Sequence, residues 1–166
     1  MNLHLIKLLK NLVMSQLSNT ALQIAITQVG KEEVPRGSNW GPTVKGYLNS
    51  VGINFPASWC MAFIYWCFNQ ASTQLGIENP MTKTGGVLNE YTHERLNQVH
   101  TPQAGDIFIM DLGNGLGHTG IIESIAADGT LHTIEGNTND TGSREGYEVA
   151  RKVRKNTKPI IGYLRF

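Results

Sequence analysis

Two cysteines, five histidines and thirteen aspartates and glutamates are the side chains here able to do nucleophilic or acid–base chemistry. Cys60 stands second in an apolar run, WCMAFIYWCF, whose spacing predicts a buried helix with Ser58 as its N-cap. A cysteine in the first turn of a helix faces free backbone amides and the positive end of the dipole, which stabilise a thiolate. Cys67, seven residues on, has no polar neighbour in sequence and reads as a small buried hydrophobe. In a helix the two lie about 10.5 Å apart along the axis. A disulfide spans roughly 7 Å between Cα atoms, so both are read as thiols. With no CxxC pair, a structural zinc site is not expected.

A nucleophilic cysteine needs a base. His118 opens a strand, HTGIIESI, directly after the glycine-rich turn LGNGLG, where a side chain stands at a sheet end. The Asp128–Gly129 dipeptide predicts a hairpin to a returning strand, TLHTIEGN. By period 2, Thr133, Glu135 and Asn137 share one face of that strand, and His132 and Ile134 the other. Pairing through the turn sets His118 opposite Asn137 and Ser124 opposite Leu131, which puts Glu135 beside the histidine. A thiol, an imidazole and an orienting carboxylate with a nearby amide are what nucleophilic acyl transfer requires. His4 lies near the N-terminus, and His93 and His100 lie in a polar stretch without periodicity.

The elements that must position these residues come in two blocks. Asn19 to Gly30 reads as a helix with a glycine stop. PRGSNWGP (35–42) is loop by composition, and Asn39 and Trp40 in it are candidates to line a cleft or to pack. Thr43 to Val51 predicts a short helix, and the Cys60 helix follows. From residue 106 the period changes to strands at 106–111, 118–125, 130–137 and 147–155, with IIGYLRF as the last. Helices first and an antiparallel meander second make an α+β fold. Residues 1–18 read as an amphipathic extension, with Leu5, Leu8, Leu9, Leu12 and Val13 on one side, ahead of a catalytic domain over 19–166. Lys7, Lys10 and Asn11 interrupt any signal-peptide core, so no standard export signal is expected, and Met14 is an alternative start.

Four further signals are weighed and set aside. GLGHTG spells G-x-G-x-x-G, but a strand follows where a dinucleotide site needs a helix. His93-Glu94 begins a zincin motif that has Asn97 where the second histidine belongs. The stretch from Asn137 to Glu148 echoes a calcium loop, with Asn137 at its first position and Thr141 at its fifth. Arg151, Lys152, Arg154, Lys155 and Lys158 read as a charged edge strand that discourages sheet-to-sheet pairing, with attraction to an anionic surface as the alternative.

The blocks SWCMAFIYWCF, PQAGDIFIM, GLGHTGIIES and TIEGNTNDTGSREGYEVARKVR resemble the CHAP family, the cysteine, histidine-dependent amidohydrolases/peptidases. The likeness runs from about residue 20 to 166. It implies a papain-like fold with the nucleophile helix packed on the sheet. Cys60 would be the nucleophile, His118 the base, Glu135 the third member and Asn137 its support. It also implies peptidoglycan as substrate, cut by an N-acetylmuramoyl-L-alanine amidase or by an endopeptidase of the stem or cross-bridge. Some relatives hold calcium near the nucleophile; residues 45–59 contain no Asp or Glu, so neither metal nor cofactor is expected.

Composition agrees with a globular chain. The net charge of +1 in 166 residues does not suggest a nucleic-acid binder. The longest apolar stretch, Trp59 to Phe68, is too short to cross a bilayer, so no membrane insertion is expected. No wall-binding module is left over, which suits a phage-type lysin or a toxin made in the cytoplasm and carried to the envelope, with an immunity protein or a secretion apparatus as partner in the second case. The alternatives are a silent CHAP-like binding module and an amidase on a non-wall amide.

Overall fold

The computed structural model describes residues 3–139 and 146–166, with the side chains at positions 3, 4, 6–8, 10 and 11 set aside. Four α-helices precede the main sheet: α1 (Leu3–Gln28), α2 (Pro42–Ser50), α3 (Cys60–Leu75) and α4 (Val87–His93). No proline or glycine falls between residues 3 and 28, so the helix expected to begin at Asn19 runs on continuously from Leu3. Leu17, Ala21 and Ala25, spaced at i, i+4 and i+8, are fully buried where α1 packs on α3. α2 follows the expected span closely, with Pro42 at its start, where a missing N–H costs nothing. The helix α4 lies in the stretch that shows no periodicity in sequence.

Six strands form one sheet: β1 (Gln98–Val99), β2 (Ile107–Asp111), β3 (Gly117–Ile125), β4 (Leu131–Thr138), β5 (Glu148–Arg154) and β6 (Ile160–Leu164), in the order β1-β6-β2-β3-β4-β5. β2 to β5 form the expected meander. β6 departs from it, crossing back to pair with β2 rather than continuing beyond β5. Arg165 secures this return, its guanidinium donating to both carboxylate oxygens of the buried Asp106 at 2.8 Å each.

Strand alternation divides the apolar residues between two faces. Ile107, Ile109, Ile121 and Ile134 meet α1 to α4 in the main core, whereas Phe108, Met110, Ile122, Leu131 and Tyr163 form a smaller cluster on the other face. Apolar side chains on both sides explain why IFIM reads as an unbroken run. The fold is the α+β class expected, a helical layer on an antiparallel sheet.

The β3–β4 register is half as expected. Ile121 pairs with Ile134 and Ile122 with Thr133, in line with His118 opposite Asn137. Ser124 pairs with His132 rather than Leu131, because an irregularity between Ile122 and Ser124 shifts the ladder by one residue.

Candidate active site

The first residue of α3 is Cys60. Its cap is Trp59, with extended φ and no side-chain cap bond, rather than Ser58. The first-turn amides are therefore left without a capping oxygen, the state in which a helix start serves a developing negative charge. Trp59 is held by its surroundings. Its indole N–H donates to Glu33 Oε1 at 2.8 Å, and its ring stacks on Tyr47 with centroids 5.6 Å apart. The other Glu33 oxygen accepts the Asn39 backbone N–H at 2.9 Å, so one buried carboxylate ties the 35–41 loop to the base of the nucleophile helix. Trp40, from the same loop, packs against the core.

Glycines let the helix and strands come close. At Gly136, between Glu135 and Asn137, a Cβ atom would lie 2.8 Å from both Trp59 and Phe63. The start of α3 therefore sits directly on the β4 backbone. On the other face, a Cβ at Gly120 would lie 2.5 Å from Glu135 Cγ. The Glu135 side chain thus passes over Gly120 on its way to His118.

Cys60, His118 and Glu135 are 5%, 7% and 0% exposed. His118 Nε2 lies 2.7 Å from Glu135 Oε2, and the Cys60 thiol is the other side chain near enough to act on the ring. With Nε2 taken by the carboxylate, Nδ1 is the ring nitrogen left for the sulfur. Burial alone disfavours the imidazolium, but the hydrogen bonds and charges of Cys60 and Glu135 outweigh it and raise His118 to about 9.

Glu135 is saturated with donors. Oε2 accepts from His118 and from Arg154 Nη2 at 2.5 Å, and Oε1 accepts from Arg154 Nε and Thr133 Oγ1, both at 2.6 Å. Burial pushes this carboxyl up, and Arg154 and His118 more than reverse that, holding it at about 2. Phe108 closes the cluster, with its ring 6.1 Å from that of His118 and the Arg154 guanidinium 5.8 Å from its centroid.

Asn137 is buried beside the cluster with φ 54, and its Oδ1 has no hydrogen-bond partner among the described residues. The structure brings Cys60, His118 and Glu135 together; Asn137 is adjacent but bonds to none of them. Cys67 is fully buried, and burial raises its thiol well above the usual value. His93 bonds the Asn89 carbonyl at 2.8 Å, away from the cluster, and the side chain of His4 lies outside the described residues. Residues 140–145, half of the calcium-like loop, also lie outside them. Among the described residues no three His, Cys, Asp or Glu side chains converge as a metal-holding group, and no helix is long and apolar enough to cross a membrane.

Sequence reasoning missed Arg154, Thr133 and the Glu33–Trp59 pair. The signal for Thr133 was present, since it shares Glu135's face by period 2. Arg154 was hidden in a basic run that splits in the structure. Arg151 pairs with Glu123 at the surface at 2.9 Å, Lys152 donates to the Asn139 carbonyl at 2.6 Å, and Arg154 turns inward.

The family model of the CHAP domain matches residues 52–137, just over half of the chain and including Cys60, His118, Glu135 and Asn137. Comparison with curated proteins and with solved structures finds no match.

Proposed function

The chain belongs to the CHAP domain family, generally hydrolases acting on peptidoglycan as amidases or peptidases, and on that premise we propose that it is a cysteine-dependent hydrolase cleaving an amide bond of the wall peptide. The observation that carries the reading is the buried row of thiol, imidazole and carboxylate, with the thiol at an uncapped helix start.

In this mechanism His118 takes, or already holds, the Cys60 proton. The sulfur attacks the amide carbonyl and forms an S–C bond. Backbone N–H groups at the start of α3 stabilise the oxyanion; one such donor is typically worth about 2.7–4 kcal/mol. The imidazolium protonates the leaving amine as the C–N bond breaks. Water, deprotonated by His118, then hydrolyses the thioester and returns the thiol. Glu135 holds the ring with Nδ1 toward the sulfur and favours its charged form. Asn137 offers beside these groups an amide oxygen that has no hydrogen-bond partner among the described residues. We propose action at the cell envelope, as a phage-type lysin or a delivered antibacterial toxin, the settings in which intact wall is the substrate.

Mass spectrometry of soluble products from purified sacculi tests this. Free stem peptides with intact glycan identify an amidase, and shortened stems or split cross-links an endopeptidase. Cys60→Ala should yield neither. No product from the wild-type protein, or equal product from Cys60→Ala, overturns the reading.

A further inference from the structure

We propose that Arg154 is a positioning residue of this site, keeping Glu135 ionised and aimed at His118. The inference rests on the catalytic reading above and extends it to a residue outside the matched family segment. In the β4–β5 ladder Arg154 stands opposite Leu131. Glu135 is four residues further along β4, about 13 Å at 3.3 Å per residue. The two side chains close that gap between them, Arg154 reaching back past Thr133. Ala150, which pairs directly with Glu135, has no side chain long enough to stand in the way. The guanidinium then meets the carboxylate with two N–H groups, one to each oxygen.

The geometry explains why an arginine is needed. Glu135 is wholly buried, and burial disfavours its ionised form, so each cation facing it adds to the hold on that charge: the His118 imidazole on one side and the Arg154 guanidinium on the other. The fork satisfies one acceptor site on each oxygen and fixes the carboxylate plane, leaving one Oε2 site for Nε2 of His118. A lysine brings the charge without the plane. The charged or titratable groups that face this cluster are Cys60 from α3, His118 from β3, Glu135 from β4 and Arg154 from β5. They alternate in sign when the thiol has given up its proton: sulfur, imidazolium, carboxylate, guanidinium.

The experiment compares Arg154→Met, Arg154→Lys and Arg154→Met in a Glu135→Gln background. Two quantities are read: the ¹³C titration of the Glu135 carboxyl, and kcat and KM on solubilised peptidoglycan across pH. In Arg154→Met the carboxyl midpoint should rise by about one pH unit or more. Its kcat should fall on the order of tenfold to a hundredfold with little change in KM, most steeply on the acid side. Arg154→Lys should keep the carboxyl midpoint near wild type while recovering only part of kcat. With Glu135 replaced by Gln, adding Arg154→Met should reduce kcat little further. An unmoved carboxyl midpoint in a folded Arg154→Met protein, or an equal loss of kcat in the Glu135→Gln background, overturns the proposal. The titration needs no substrate. A midpoint that shifts in a protein that hydrolyses nothing therefore refutes the catalytic reading while upholding the hold of Arg154 on Glu135.

Discussion

Gly120→Ala should disable the site by displacing Glu135, although residue 120 does no chemistry itself. The new Cβ would lie 2.5 Å from Glu135 Cγ, and 2.8 Å from both the Ile134 carbonyl oxygen and the Phe108 ring. Two of these neighbours are backbone or a fully buried ring, so the carboxylate arm is the part that gives. Ordinary carbon contact at about 3.5–4.0 Å requires a shift of roughly 1 Å. Added to the 2.7 Å His118–Glu135 separation, that exceeds hydrogen-bonding distance. A misplacement of this size costs about 100-fold in rate, and overpacking costs about 1–3 kcal/mol in stability. The assay is release of soluble fragments from sacculi, paired with thermal melting and with the imidazole NMR signals of His118. Gly46→Ala is the control: it lies in α2 with nothing within 4 Å of its Cβ, and should gain about 0.5–1 kcal/mol without loss of rate. A Gly120→Ala protein with wild-type rate and unchanged His118 signals refutes the reasoning.

Glu90, fully buried on α4 with neither carboxylate oxygen hydrogen-bonded among the described residues, is raised to about 8, chiefly by burial. A raised carboxyl costs stability as pH rises from its unfolded value near 4.5 through 8, so Glu90→Gln should gain on wild type by roughly 1.4 kcal/mol per pH unit across that window; melting curves at pH 4.5 and 8 read the difference, and parallel curves contradict it. Trp59→Phe leaves Glu33 with the Asn39 N–H but without the indole, and should cost about 1–3 kcal/mol together with a drop in rate, because Trp59 immediately precedes Cys60 and its anchoring sets where α3 begins. Asn137→Gly accepts the positive φ and removes a buried oxygen that has no partner among the described residues, so it should melt no earlier than wild type. A drop in kcat in that variant assigns the amide a part in the reaction, and a wild-type rate removes it from the site.

Much of the site was legible because it is built from local patterns. An apolar run placed Cys60 in its first turn, and alternation along TLHTIEGN set Glu135 on the face from which it meets His118. The chain hid what depends on distant partners. Arg154 and Glu135 stand about 13 Å apart along neighbouring strands and meet only through their extended side chains, a relation that no periodicity carries, and basic neighbours disguise it. Glu33 meets Trp59 across 26 residues. Ser58 has the chemistry of a cap, but the backbone turns into the helix one residue later, at Trp59, where packing under Gly136 decides. The last strand was readable as a strand, yet its place beside β2 is a crossover held by Arg165 and Asp106.

The most direct measurement is the rate of iodoacetamide modification of Cys60 at neutral pH, followed residue by residue by mass spectrometry, with the fully buried Cys67 as internal reference. If His118 and Glu135 activate the thiol, Cys60 reacts first, hydrolysis is lost in step with a single modification, and His118→Ala slows that reaction. Modification of Cys60 no faster than Cys67, or hydrolysis that survives complete alkylation of Cys60, contradicts the nucleophile assignment and with it the mechanism.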